Sequence, residues 1–364
     1  MKYASKLLGV ASTVVLVALG ASPAYAAGTL AGTTITNTAN ISYSVNSIAQ
    51  TGGTASNPIV VDRKVIFTVT GAASTTTVTP GQTVAYDTFT LLNSSNDTLD
   101  FALATLNQAT GQSAAHGGTD AFDVTGFTYY IDTNGNGVYD PGTDQAITWL
   151  DEVAPDTSKT VFVVASVPLT ATNTQVAGVV LTATAQQGGS VGTEGATLSN
   201  TNGATWTPGT VQTVFADAAG ATDAQYDGKY SAKGDYTVYA PVLTLSKLST
   251  VITDPINGTS NPKAIPGATV EYCIVVQNAS GGAPTTALSV SDPLPLPVTY
   301  LSSFGIMLNG TFNGTTCNSD GTAGTGSNSS FATATTGNSG TVNGTLNNVS
   351  AGGATTMRFR VTIN

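Results

Sequence analysis

Charge is the scarcest property of this chain: 9% of its 364 residues are Asp, Glu, Lys or Arg, against roughly a quarter in an ordinary soluble domain. Long helices and coiled coils, whose exposed faces are built from those residues, are excluded by the shortage. Basic residues number 11 against 21 acidic ones, so a phosphate backbone would be repelled and nucleic-acid binding is excluded. The single histidine, His116, falls in the segment from Gly111 to Gly118 and reads as an exposed loop residue. Alone it can build neither a multi-histidine metal site nor, without partners, a catalytic base. Gly-x-Ser-x-Gly, phosphate-cradling Gly-Lys-Ser/Thr and paired-histidine motifs are all missing, so no enzyme is expected.

Apolar runs are scarce too. The one run of note lies between Leu7 and Ala21, after Lys2 and Lys6 and before Ala24-Tyr25-Ala26. A basic start, a short apolar centre and small residues at the end make a secretory signal peptide, residues 1–26. About fifteen apolar residues fall short of the roughly 20 needed to cross a bilayer. No later run is long enough, so no transmembrane anchor is expected in the mature chain. Cysteine occurs twice, Cys273 and Cys317. In an exported protein an isolated pair is most simply a disulfide, and closing that loop stabilises by up to about 4 kcal/mol.

What is abundant is threonine, with 40 glycines. A β-branched residue with a hydroxyl suits the solvent face of a strand, and period-two alternation recurs along the chain. Ile35, Ala39, Ile41, Tyr43 and Val45 share one face of a segment whose alternation predicts a half-buried strand. Val65, Phe67 and Val69 repeat the pattern, as do Val270, Tyr272, Ile274 and Val276, and then Met357, Phe359, Val361 and Ile363. The spacers are rich in Gly, Pro, Asn, Asp and Ser, which predicts an all-β fold of tandem sandwiches.

An internal echo divides the chain. Pro80-Gly81-Gln82-Thr83-Val84-Ala85-Tyr86, a strand and Asn93-Ser94 match Pro266-Gly267-Ala268-Thr269-Val270-Glu271-Tyr272, a strand and Asn278-Ala279-Ser280. The expected division is an N-terminal β-region at 27–62 with a strand available for pairing, a first sandwich at 63–240 and a C-terminal sandwich at 241–364. The second copy, with Gln277-Asn278 and then Val290-Ser291-Asp292-Pro293-Leu294-Pro295, resembles the conserved repeat domain of bacterial surface proteins known as domain of unknown function number eleven. The resemblance is good over residues 243–364 and weaker over 65–168. Ala31-Gly32-Thr33-Thr34-Ile35-Thr36-Asn37 and Val61-Asp62-Arg63-Lys64-Val65 resemble the start of related exported proteins of Gram-negative bacteria. These resemblances imply an immunoglobulin-like sandwich in an envelope protein and no chemistry.

The sharpest local motif runs from Asp132-Thr133-Asn134-Gly135-Asn136-Gly137-Val138-Tyr139-Asp140 to Asp144. Alternating side-chain oxygens with a glycine at the sixth place form the front of a calcium loop. Asp132, Asn134, Asn136, Asp140 and Asp144, with the Val138 carbonyl, are the candidate Ca2+ ligands. The bidentate glutamate expected at the twelfth place is missing, Thr143 standing there. Asp217, Asp223 and Asp227 are spaced too loosely for a site and read as a solvated loop. Lys247, Glu271 and Asn364 raise the question of a Lys-to-Asn isopeptide bond, but strand parity turns Asn364 away from Lys247.

These readings predict a secreted cell-envelope structural or adhesive protein, a spacer or subunit of an extracellular filament or matrix, that associates with itself or with other envelope proteins. The region from Thr33 to Val45 is the segment expected to pair between molecules. The alternative is a binding module for carbohydrate or another envelope ligand, with Tyr129, Tyr139, Trp149 and Trp206 as its candidate contacts.

Overall fold

In the computed structural model, which describes residues 28–334 and 337–364, the two Pro-Gly pairs close equivalent turns. The Gln82 amide donates to the Thr79 carbonyl at 3.2 Å and the Ala268 amide to the Ile265 carbonyl at 2.9 Å. Gly81 and Gly267 hold φ at 76° and 85°, the left-handed conformation that the third place of a type II turn demands. Each turn launches a strand through a sandwich core, Ala85–Asn93 and Thr269–Asn278, and each strand ends on a buried asparagine. The Asn93 amide group donates to the Asp97 and Val153 carbonyls; that of Asn278 donates to the Ala283 and Val349 carbonyls. The expected signal peptide lies outside the described residues.

The first sandwich stacks two five-stranded sheets. One runs Gln145–Ile147, Thr125–Ile131, Thr157–Ser166, Ala85–Asn93, Phe67–Gly71; the other runs Trp149–Val153, Leu99–Asn107, Val176–Gln187, Lys229–Val238, Thr76–Val78. Alternate residues of Ala85–Asn93 are buried, and Phe67, Phe89, Phe101, Leu181 and Tyr236 fill the space between the sheets. The C-terminal sandwich is lopsided. Its larger sheet orders Leu243–Thr253, Thr269–Asn278, Ala354–Ile363, Ile306–Gly310, Thr322–Ala323, with Val298–Tyr300 also on Ala354–Ile363. The sheet that faces it has three strands, Ser289–Leu294, Gly340–Thr345 and Ser329–Thr333. Val270, Ile274, Met357, Phe359 and Val361 form the core between them. The fold is therefore all-β, with tandem sandwiches.

The disulfide joins Cys273 to Cys317 with 6.5 Å between Cα atoms. It pins the loop after Ile306–Gly310 over the outer face of the larger sheet. Beneath that loop the buried Arg358 guanidinium donates to the Glu271 carboxylate at 3.0 Å and to the Asp320 carbonyl at 2.6 Å.

Residues 28–62 join neither core. Thr34–Ile41 pairs antiparallel with Gly53–Val60 in register from Thr34↔Val60 to Ile41↔Gly53, and Ser44–Val45 with Ile48–Ala49 extends the hairpin. The half-burial expected for its first strand does not occur: all eight residues of Thr34–Ile41 are exposed. The alternation is present, but no second layer covers it among the described residues.

Candidate functional sites

The loop after Thr125–Ile131 closes on itself. The Asp132 carboxylate accepts the Gly135 amide at 2.7 Å and the Gly137 amide at 2.8 Å; Asp144 accepts the Thr133 and Asp140 amides at 3.1 and 2.7 Å. Asn134 and Asn136 both donate to Asp140, whose carboxyl is held below its ordinary value by those two bonds. Val138 is exposed and its amide donates to Asn136. The closed loop lays Tyr139 over the outside of the first sheet, 4.8 Å from the Tyr130 ring, 5.6 Å from Tyr86 and 5.9 Å from Phe162. Phe162, on an outer face, is fully buried as a result. Burial and the bond to Tyr130 push the Tyr139 hydroxyl up to about 12.

A second acidic group had no signature in the sequence. Among the described residues, Asp100, Asp151 and Glu152 are the three acids whose oxygens approach within 4.8 Å of one another, and they could hold a metal. A bulge in Trp149–Val153, between Leu150 and Val153, breaks strand alternation opposite Leu99–Asn107 and brings Asp151 and Glu152 to Asp100 together. Backbone amides hold the group: Gly195 on Asp100, Gly192 on Asp151, Gly189 and Ser190 on Glu152.

His116 lies on an exposed loop, as expected, but its ring is tied down. Nδ1 meets the Asp235 carboxylate at 2.9 Å and Nε2 meets the Ala72 carbonyl at 2.9 Å. Two acceptors suit a ring protonated on both nitrogens, and the bond to Asp235 raises the His116 pKa. Asp87 lies in the core nearby. Burial, with the Asp235 charge adding to it, pushes its carboxyl from 3.8 to about 7.

The stretch from 217 to 228 is solvated in part, as expected: Ala221, Thr222 and Ala224 to Tyr226 are exposed and Asp223 and Asp227 half-buried, but its first acid is internal. Asp217 is fully buried and accepts the Asp227 and Gly228 amides at 3.2 and 3.3 Å, while Asp223 binds the Gly220 amide and the Ser231 hydroxyl. Lys247 pairs with Asp292 at 2.6 Å rather than with Asn364, and Asn364 binds the Leu296 carbonyl and the Thr299 hydroxyl. Of the four aromatic residues considered for ligand contact, Tyr129 packs on the core, Tyr139 is engaged as above, Trp149 is half-buried and Trp206 is exposed.

The hairpin is the remaining unusual surface. From Ala27 to Val61 no residue is charged. Its register sets Ile35 beside Ile59, Asn37 beside Asn57, Ala39 beside Ala55 and Ile41 beside Gly53 on one face, with Thr34, Thr36, Thr38 and Asn40 on the other. Ile35, Ile41 and Ile59 are 44%, 66% and 44% exposed. Natural edge strands avoid such a surface with lysines, bulges or a covering element.

No family model and no curated protein matches the chain. Solved structures similar to it include a membrane-anchored protein from Corynebacterium diphtheriae, at 11% identity over 91% of this chain and 89% of that one, with a TM-score of 0.20. A backbone pilin of Streptococcus pyogenes follows at 10% identity, 83% and 54% coverage and a TM-score of 0.22. A tip adhesin from Pseudomonas aeruginosa stands at 12% identity, 82% and 88% coverage and a TM-score of 0.26. At those scores the likenesses carry no functional argument.

Proposed function

We propose that this chain is a secreted structural or adhesive protein of the bacterial envelope, a spacer or subunit of an extracellular assembly, whose copies associate through the N-terminal hairpin. The observation that carries this reading is the hairpin itself: a two-stranded sheet with no charge, an exposed face that is apolar but for the Asn37 and Asn57 pair, and edges unpaired among the described residues. Strand addition at such edges supplies main-chain hydrogen bonds, and the apolar row supplies buried area. A signal peptide at 1–26 and a disulfide in the C-terminal sandwich suit an oxidising exterior. In this reading residues 63–240 and 241–364 are rigid spacers, and the loop at 132–144 takes Ca2+ of the weak, extracellular kind.

The test is the association state of the mature chain with and without residues 34–60. Removing them leaves both cores whole, since the first core residue is Val65. The reading predicts oligomers or filaments for the full chain in sedimentation and electron microscopy and monomers for the deletion. Equal association of both would overturn it.

A further inference from the structure

We propose that the hairpin's receptor is the open flank of the C-terminal sandwich of a second copy, with Thr34–Ile41 adding antiparallel to the free edge of Ser289–Leu294. This rests on the assembly reading above and assigns its acceptor. The flank is bounded by two strands that, among the described residues, each pair on one side only, Leu243–Thr253 and Ser289–Leu294. Between them Leu243 and Leu245, which have the inward parity of Val270, Ile274 and Val276 on the neighbouring strand, are left 44% and 70% exposed. The three-stranded sheet does not reach over them. Beside this flank lies a groove of about 870 Å³ lined by Val242, Leu243, Leu288 and Ser289 from this sandwich and by Tyr239 and Asn173 from the first.

Strand parity selects the edge. The Leu346 amide donates to the Leu288 carbonyl, so along the next strand Val290, Asp292 and Leu294 bond inward to Gly340–Thr345. Ser289, Ser291 and Pro293 therefore turn their backbone groups to the open side. On the hairpin, the Val61 amide donates to the Thr33 carbonyl, so Thr34, Thr36, Thr38 and Asn40 turn theirs outward. An antiparallel joint sets these threonines opposite the serines, hydroxyl side out. The same joint turns Ile35, Ala39 and Ile41 inward, with Asn37 among them, beside Val290 and over Leu243 and Leu245. Pro293, with no amide hydrogen, stops the pairing at one end.

Charge points to the same partner. The chain carries a net charge of −10, so two copies repel over most of their surfaces. The hairpin has no charge, and the one ion pair on the flank, Lys247 with Asp292, neutralises itself. The two patches are different parts of one chain, so each bound copy presents another hairpin and another flank. A heterologous contact of this kind makes a chain unless its rotation closes a ring.

Thr34→Cys, Thr36→Cys or Thr38→Cys protein, mixed with separately made Ser291→Cys protein under mild oxidation with the native disulfide intact, tests the joint. Residues facing each other across a hydrogen-bonded antiparallel pair lie about 5.5 Å apart at Cα, within disulfide reach. The expected result is a covalent heterodimer for at least one of the three threonine positions and none when Ser330→Cys replaces Ser291→Cys. Leu245→Glu is expected to reduce self-association at least tenfold while leaving the melting temperature unchanged. Assembly with no cross-link to Ser291→Cys and no effect of Leu245→Glu overturns the flank and leaves the hairpin reading standing. Equal cross-linking to Ser330→Cys also overturns the flank. A full-length chain that stays monomeric overturns both.

Discussion

The Val61 amide donates to the Thr33 carbonyl at 2.9 Å, and that one bond sets the parity of the whole hairpin. Counting outward from it, Ile35, Asn37, Ala39 and Ile41 bond to the partner strand, and the residues between them face solvent with backbone groups unpaired. Pro58 stands opposite Thr36, at an outward place of the second strand where a missing amide hydrogen costs nothing. The hairpin therefore has one edge free to pair and one blunted. Pro58→Thr restores the missing donor. The expected result is lateral clumping in place of linear assembly, seen as turbidity and as thickened or bundled particles in micrographs; unchanged particles would show that Pro58 does not guard that edge.

The outer face of the C-terminal sandwich depends on Glu271. Its carboxylate takes Arg358 at 3.0 Å and Arg360 at 2.9 Å, and the Arg358 side chain is 6% exposed. Removing the acid strands a buried guanidinium, so Glu271→Ala is expected to cost about 3 kcal/mol in denaturant unfolding. A loss below about 0.5 kcal/mol would place this pair among ordinary surface ion pairs. Reduction of Cys273–Cys317 frees the loop that covers Arg358 and adds up to about 4 kcal/mol to the loss.

Asp87 and His116 give the first sandwich a pH dependence of definite sign. Asp87 holds its proton more tightly folded, at about 7, than its ordinary 3.8, so stability falls as pH rises across that interval, by about 4 kcal/mol if it remained buried throughout. His116 is also raised when folded. Its contribution is complete below 6.5 and is lost as pH rises through the folded value. Thermal unfolding is therefore expected at steadily lower temperature between pH 4 and 8. Asp87→Asn should flatten the lower half of that slope; an unchanged slope would remove Asp87 as its source.

Calcium is expected to raise the melting temperature through the loop at 132–144. Saturation to ten times the dissociation constant adds about 1.4 kcal/mol. Asp140→Ala should abolish the response and Glu152→Gln should leave it. The reverse pattern would place the cation in the group of Asp100, Asp151 and Glu152, and no response in the parent would remove calcium from the account.

Much of the architecture could be read from periodicity. Val65, Phe67 and Val69 are buried as their alternation requires, the two Pro-Gly turns occur where their chemistry demands them, and the two cysteines join. Alternation reports which residues share a face and says nothing of whether another layer covers that face. Thr34–Ile41 shows the difference, with a regular pattern and no cover. The acid group at Asp100 escaped because a bulge made it, and bulges break the period on which strand reading relies. The role of Tyr139 was hidden for a related reason: a loop residue returns to cap an outer sheet face, a contact between segments that spacing alone does not encode. Asp217 resembles its solvated neighbours in sequence, an acid in a Gly-rich stretch, and only the Asp227 and Gly228 amides that it accepts account for its burial.

Thr36→Pro tests the central claim most directly. Thr36 turns its amide away from the hairpin, so proline there removes an intermolecular donor without breaking an internal bond. Electron microscopy of the mature chain beside this variant is the measurement. The account predicts extended particles for the parent and single molecules with an unchanged melting temperature for Thr36→Pro; equal assembly in both would contradict it.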